Sequence, residues 1–128
     1  MKKNRSSIVA MIILLVFITF VHAQQEPSLT PEQIATKTTE WMKSNLNLNE
    51  DQTAQVQDVN LKYATRNMDL KKSSMGRRQK LQTLKANEDA KDKELKRIFT
   101  GDQYKIWEVK KEEIKELIKE KAKKNKGQ

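Results

Sequence analysis

Seven cations crowd one short stretch of this chain: Lys62, Arg66, Lys71, Lys72, Arg77, Arg78 and Lys80. At that density such side chains attract carboxylates and other anionic groups, Arg through a planar fork and Lys as a point charge. The plain alternative is a solvated turn, since charge runs usually mark wetted helix faces. A second set, Leu61, Met68, Met75, Ile106 and Val109, is apolar but lies off the helical seams described below. Methionine is polarizable and adaptable, which suits a surface that accepts many partners. The competing reading places these residues in an ordinary core or a dimer interface.

Bond-making chemistry finds few candidates. The chain has no Cys, and its single His is His22. With neither residue after position 22, the usual nucleophile–base pairs cannot be assembled there, and zinc, copper and nickel lose their preferred ligands. Carboxylates are plentiful but interleaved with Lys, as in Glu112-Glu113-Ile114-Lys115-Glu116. That pattern is most simply a solvated helix face carrying intrahelical ion pairs. The expectation is a protein that is not an enzyme and needs no cofactor and no metal.

The elements that must carry these residues announce themselves in three related pentapeptides: LTPEQ at 29–33, LNEDQ at 48–52 and FTGDQ at 99–103. Each reads as a capping box. Thr30, Asn49 and Thr100 can accept from the backbone N–H three residues on, while Gln33, Gln52 and Gln103 reach back to the N–H of the cap. Leu29, Leu48 and Phe99 occupy the place of a hydrophobic staple. Pro31 suits the first helical position, and Glu32, Glu50, Asp51 and Asp102 put negative charge at the positive end of the helix dipole.

Periodicity then predicts an all-α chain of about four helices in an elongated, hairpin-like layer. The first runs from Pro31 to about Ser44, with Ile34, Thr38, Trp41 and Met42 on one face. Asn45 to Asn47 is a break. The second starts after Asn49, with Val56, Val59, Tyr63, Arg66 and Leu70 on its seam, and fades near Ser73 to Gly76, where Gly76 is a C-cap or a hinge. The third starts near Arg77, with Leu81 and Leu84, a polar middle, and then Leu95, Ile98 and Phe99. The fourth follows Thr100, with Tyr104, Trp107, Ile114, Leu117 and Ile118 on one face and Lys111 interrupting it.

Residues 1–23 stand apart. Lys2, Lys3 and Arg5 precede an apolar run from Ile8 to Phe20, and Val21-His22-Ala23 offers a cleavage site: a secretory signal peptide cut after Ala23, with an uncleaved anchor as the alternative. A flexible leader over 24–30, a helical domain over 31–120 and a basic tail over 121–128 complete the division. Losing Lys2, Lys3 and Arg5 with the signal takes the net charge from +9 to +6. Of the residues after Ala23, 25 are Leu, Ile, Val, Met, Phe, Tyr or Trp, a core too thin for a compact monomer. An antiparallel homodimer is therefore expected.

The boxes, on an exported all-helical chain of this length, resemble the LTxxQ motif of the Spy/CpxP family of periplasmic stress proteins. The first box matches at Leu29, Thr30 and Gln33. The second has Leu48 and Gln52 with Asn49 for Thr, and the third has Thr100 and Gln103 with Phe99 for Leu. The order of second box, long helix, basic turn, helix, third box and last helix looks like that family's core over about residues 46–120. The resemblance implies antiparallel cradle-shaped dimers whose basic concave face, patched with apolar residues, holds unfolding clients without ATP. The cluster from Lys62 to Lys80 would then line that face. Metal-responsive relatives bind through His residues that the mature chain lacks, and another branch restrains a sensor kinase.

The expected function is therefore a periplasmic, ATP-independent chaperone or envelope stress-response protein that binds partly unfolded clients. The alternative is an adaptor docking one specific envelope protein, such as a sensor kinase. Contact of the Lys119–Lys126 tail with an anionic membrane surface is a third reading. Nucleic acid fits the charge but not the exported location.

Overall fold

A computed structural model describes residues 28–127. The expected signal peptide, its expected cleavage site and most of the expected 24–30 leader lie outside the described residues. Four helices follow in order: α1 (Pro31–Leu46), α2 (Glu50–Lys72), α3 (Arg77–Ile98) and α4 (Gly101–Lys126). No strand occurs among the described residues, so the fold is all-α. The chain packs as two units, Leu29–Tyr104 and another to which Lys105 and the residues after it belong.

All three boxes form. The Thr30, Asn49 and Thr100 side chains accept from the N–H of Gln33, Gln52 and Gln103 at 3.2, 2.8 and 3.2 Å. Their own N–H groups donate to the glutamine Oε1 atoms at 2.9, 3.1 and 2.8 Å. α1 runs two residues past the expected end at Ser44 and stops where Asn47 turns left-handed, with φ 54°. The Leu48 N–H then reaches back to the Lys43 carbonyl at 3.2 Å, a Schellman closure that delivers Leu48 to the core.

In the unit Leu29–Tyr104, α1 and α3 each pack against α2. The buried face of α1 is Ala35, Thr39, Met42 and Leu46, with Trp41 beside it. The expected seam is thus shifted by one residue: Ile34 and Thr38 are only half-buried. On α2, Val56, Val59, Tyr63 and Leu70 are buried as expected, but Arg66 is exposed and Asn60 takes an inward place. Asn60 Nδ2 donates to Thr39 Oγ1 at 2.9 Å, which ties α1 to α2, while its Oδ1 is buried with no partner among the described residues.

The second and third boxes also meet each other. Gln52 Nε2 donates to Gln103 Oε1 at 2.7 Å and to the Ile98 carbonyl at 3.0 Å. Gln103 Nε2 donates to Gln52 Oε1 at 3.2 Å and to the Asn47 carbonyl at 3.3 Å. Each glutamine closes its own cap and grips the turn leading into the other. Leu48 and Phe99, the two staple residues here, are both buried. This clip fixes one end of the α2–α3 hairpin; the cations gather at the other.

Candidate functional site

The far end of the hairpin follows from helix lengths. α1 has 16 residues and α2 has 23. At 1.5 Å per residue, α2 outruns α1 by roughly 10 Å. Side-chain bonds from α1 to α2 reach no farther than Asn60 among the described residues. Those from α3 to α2 continue through Asn87–Asn67 at 2.9 Å to Lys80, whose Nζ donates to the Lys71 carbonyl at 3.0 Å. Beyond α1, the side-chain bonds between elements at the end of α2 and the start of α3, within the unit Leu29–Tyr104, join these two helices to each other, and apolar residues there stay partly wet. Met75 and Leu81 are each 48% exposed.

Ser73 to Gly76 form the tip. The Ser73 hydroxyl and N–H both donate to the Leu70 carbonyl, at 2.7 and 3.2 Å, which ends α2. Gly76 is neither a C-cap nor left-handed. It precedes α3 as its N-cap with φ −62°, supplies no side-chain cap, and has open space where a Cβ would stand. The first turn of α3 holds Arg77 and Arg78 and no acid. Cations therefore add to the positive end of the helix dipole instead of cancelling it, an arrangement unfavourable for the isolated fold and favourable for an anionic partner.

The seven candidate cations divide here. Lys71, Lys72, Arg77 and Arg78 are exposed at the tip and make no ion pair among the described residues. Lys62, Arg66 and Lys80 have internal duties. Lys62 Nζ lies 2.6 Å from both Glu94 carboxylate oxygens, and the Tyr63 hydroxyl donates to the same carboxylate at 2.8 Å. The Arg66 guanidinium and the Lys62 ammonium each lie 5.2 Å from the Tyr63 ring centroid. The hydrogen bond from Lys62 and then that from Tyr63 hold the Glu94 carboxyl below its usual range. Burial, with Glu94 next, pushes the Tyr63 hydroxyl up.

The apolar set divides as well. Met75, Ile106 and Val109 are exposed, while Leu61 and Met68 are half-buried. Leu81, assigned to the seam of α3 from its spacing, is instead as exposed as Met75 in the turn before that helix. The signal for its exposure is the mismatch between the lengths of the first two helices. Among the described residues, no cluster of His, Cys, Asp and Glu is arranged to hold a metal ion, and no helix is long and apolar enough to cross a membrane.

No curated protein and no solved structure matches the chain. A family profile does match, from before α1 into the start of α4, so the boxes, the clip and the tip all fall within it. The chain belongs to the family of the domain of unknown function DUF4890, matched over residues 21–107.

Proposed function

We propose that this protein is an ATP-independent holding chaperone of the bacterial envelope, a stress-response protein that binds partly unfolded clients at the tip of its α2–α3 hairpin. The observation that carries this reading is that the turn between α2 and α3 and the helix ends beside it carry four exposed cations with no ion pair among the described residues, together with half-exposed Met75 and Leu81. Exposed charge attracts a client from a distance, and adaptable apolar side chains then hold it weakly. The reading draws further support from the likeness of the boxes to those of Spy/CpxP proteins, and from the signal-peptide pattern of residues 1–23. Lys62 and Lys80 serve the surface by tying α2 to α3 rather than by touching the client, while Arg66 lies over the Tyr63 ring of its own helix.

The test is suppression of aggregation of several unrelated unfolding clients, followed by light scattering. The wild type should protect all of them. A variant with Lys71, Lys72, Arg77 and Arg78 replaced by Glu should lose most of that protection with its helical circular dichroism unchanged. Wild-type protein that protects none of the clients would sink the reading. Tight, saturable binding of a single envelope protein, with no broad protection, would leave the adaptor as the better account.

A further inference from the structure

The end of α4 has a use that the hairpin tip does not explain. On a helix advancing about 100° per residue, Ile106, Trp107, Ile114, Leu117 and Ile118 fall within an arc of roughly 120°. Glu113 and Lys111 flank the two edges of this arc, and Glu108, Glu112, Lys115, Glu116, Lys119 and Glu120 fill the rest of the circumference, with Val109 among them. Lys110 and Lys121 lie within the apolar arc, where their aliphatic stems extend the strip while the ammonium groups reach out of it. Lys110 does this visibly: its side chain is only 19% exposed, yet Nζ stands 3.4 Å from Glu113. Ile114, Leu117 and Ile118 are half-exposed, and Ile106 is 43% exposed.

Charge is distributed unevenly along the same helix. Three of the glutamates are occupied by lysines three residues away, in Lys110–Glu113, Lys115–Glu112 and Lys119–Glu116 at 3.4, 2.8 and 3.0 Å. After Glu120 there is no acid at all. Lys121, Lys123, Lys124 and Lys126 follow in the last turns with no ion pair among the described residues. Four cations also stack at the negative end of the helix dipole, where they favour the helical form. An apolar strip flanked by uncompensated lysines, on a helix that cannot span a bilayer, is the pattern of a helix lying in a membrane interface.

We infer that residues 106–126 of α4 dock on an anionic lipid bilayer, with Ile114, Leu117 and Ile118 facing the acyl chains and Lys121 to Lys126 meeting the headgroups. The inference is independent of the client-holding reading, which concerns the hairpin tip. Each lysine near an anionic surface strengthens binding by about fivefold, and the attraction fades as salt screens it. An acidic protein surface would satisfy the lysines equally but would leave the apolar strip unused, and that difference decides the experiment.

The full chain carries no Cys, so a single introduced thiol takes an environment-sensitive dye cleanly. Ile118→Cys reports from the apolar strip and Glu116→Cys from the opposite side. Titration with phosphatidylglycerol-containing vesicles should give salt-sensitive binding, with a blue shift at 118 and none at 116; phosphatidylcholine vesicles should bind far more weakly. Replacing Lys121, Lys123, Lys124 and Lys126 by Gln should weaken binding by about a hundredfold or more, and should leave aggregation suppression intact. Three results would each overturn the inference: no preference for the anionic vesicles, binding retained by the four-lysine variant, or binding to vesicles and poly-glutamate alike with no shift at 118.

Discussion

Glu94 is the residue on which the middle of the hairpin turns, because it answers Lys62 and Tyr63 from α2 at once. Its charged form carries the contact. With the folded carboxyl held below its ordinary value of 4.5, the stabilisation is fully present above that value and is lost as pH falls through the folded one. Thermal unfolding measured between neutral and acid pH should therefore show the wild type losing stability on acidification more steeply than Glu94→Gln, which has no carboxylate to protonate. Tyr63→Phe removes the donated hydroxyl and should cost about 1 kcal/mol at neutral pH. That loss corresponds to a melting temperature lower by roughly 4–8 °C for a unit of this size. Identical pH profiles for wild type and Glu94→Gln would mean that the carboxylate is only a surface charge. None of this was visible in spacing: Glu94 stands between the polar middle of α3 and Leu95, with nothing in its neighbours to mark it. Its role depends on side chains 31 and 32 residues away.

At the scale of elements, the three boxes look alike in sequence but should not weigh alike. Gln33 serves only its own cap among the described residues, whereas Gln52 and Gln103 also join the start of α2 to the turn that follows α3. Gln52→Ala and Gln103→Ala should each cost about 1–2 kcal/mol, and Gln33→Ala less. In a double-mutant cycle the first two should couple by about 1 kcal/mol, since either truncation already breaks the shared pair. Additive losses in urea melts would show two separate caps and no clip. The caps were legible because every bond in them spans three residues; the clip was not, because it joins positions 51 apart. The same division explains the remaining differences. The polar middle of α3 reads as weak until its partners are in place: Asn67 for Asn87, Tyr63 for Glu94, and Tyr104 for Asp92 at 2.8 Å. The one-residue slip of the α1 seam arose because Ile34 outweighs Ala35 on any hydrophobicity scale, whereas close helix packing favours the smaller residue. Leu81 was misplaced because its surroundings depend on where α1 begins, which no property of α3 reveals.

For the whole molecule the open question is what completes so thin a layer. α2 is itself polarised: its first half holds Glu50, Asp51 and Asp58 with no cation, and its second half holds Lys62, Arg66, Lys71 and Lys72 against the single acid Asp69. A second copy laid antiparallel along it would set opposite charges side by side, and would cover apolar surface that α1 is too short to reach. Such a dimer is expected to make stability depend on concentration, since association is coupled to folding when a lone protomer buries too little. Light scattering across a dilution series around 1 μM, where a dissociation constant corresponds to roughly 8 kcal/mol, should show the mass halving, and the melting temperature should fall in step. Added salt should shift both transitions to higher protein concentration, because exposed charges more than about 8 Å apart are screened at physiological ionic strength. Reversing Glu50 and Asp51 to Lys should weaken association at low salt while sparing the hairpin tip, since both residues are exposed at the opposite end of α2. A monomeric mass at every concentration, with a melting temperature that does not move, would show that the α1–α3 layer and its glutamine clip suffice alone. The charge gradient along α2 would then serve the capture of clients rather than the pairing of copies.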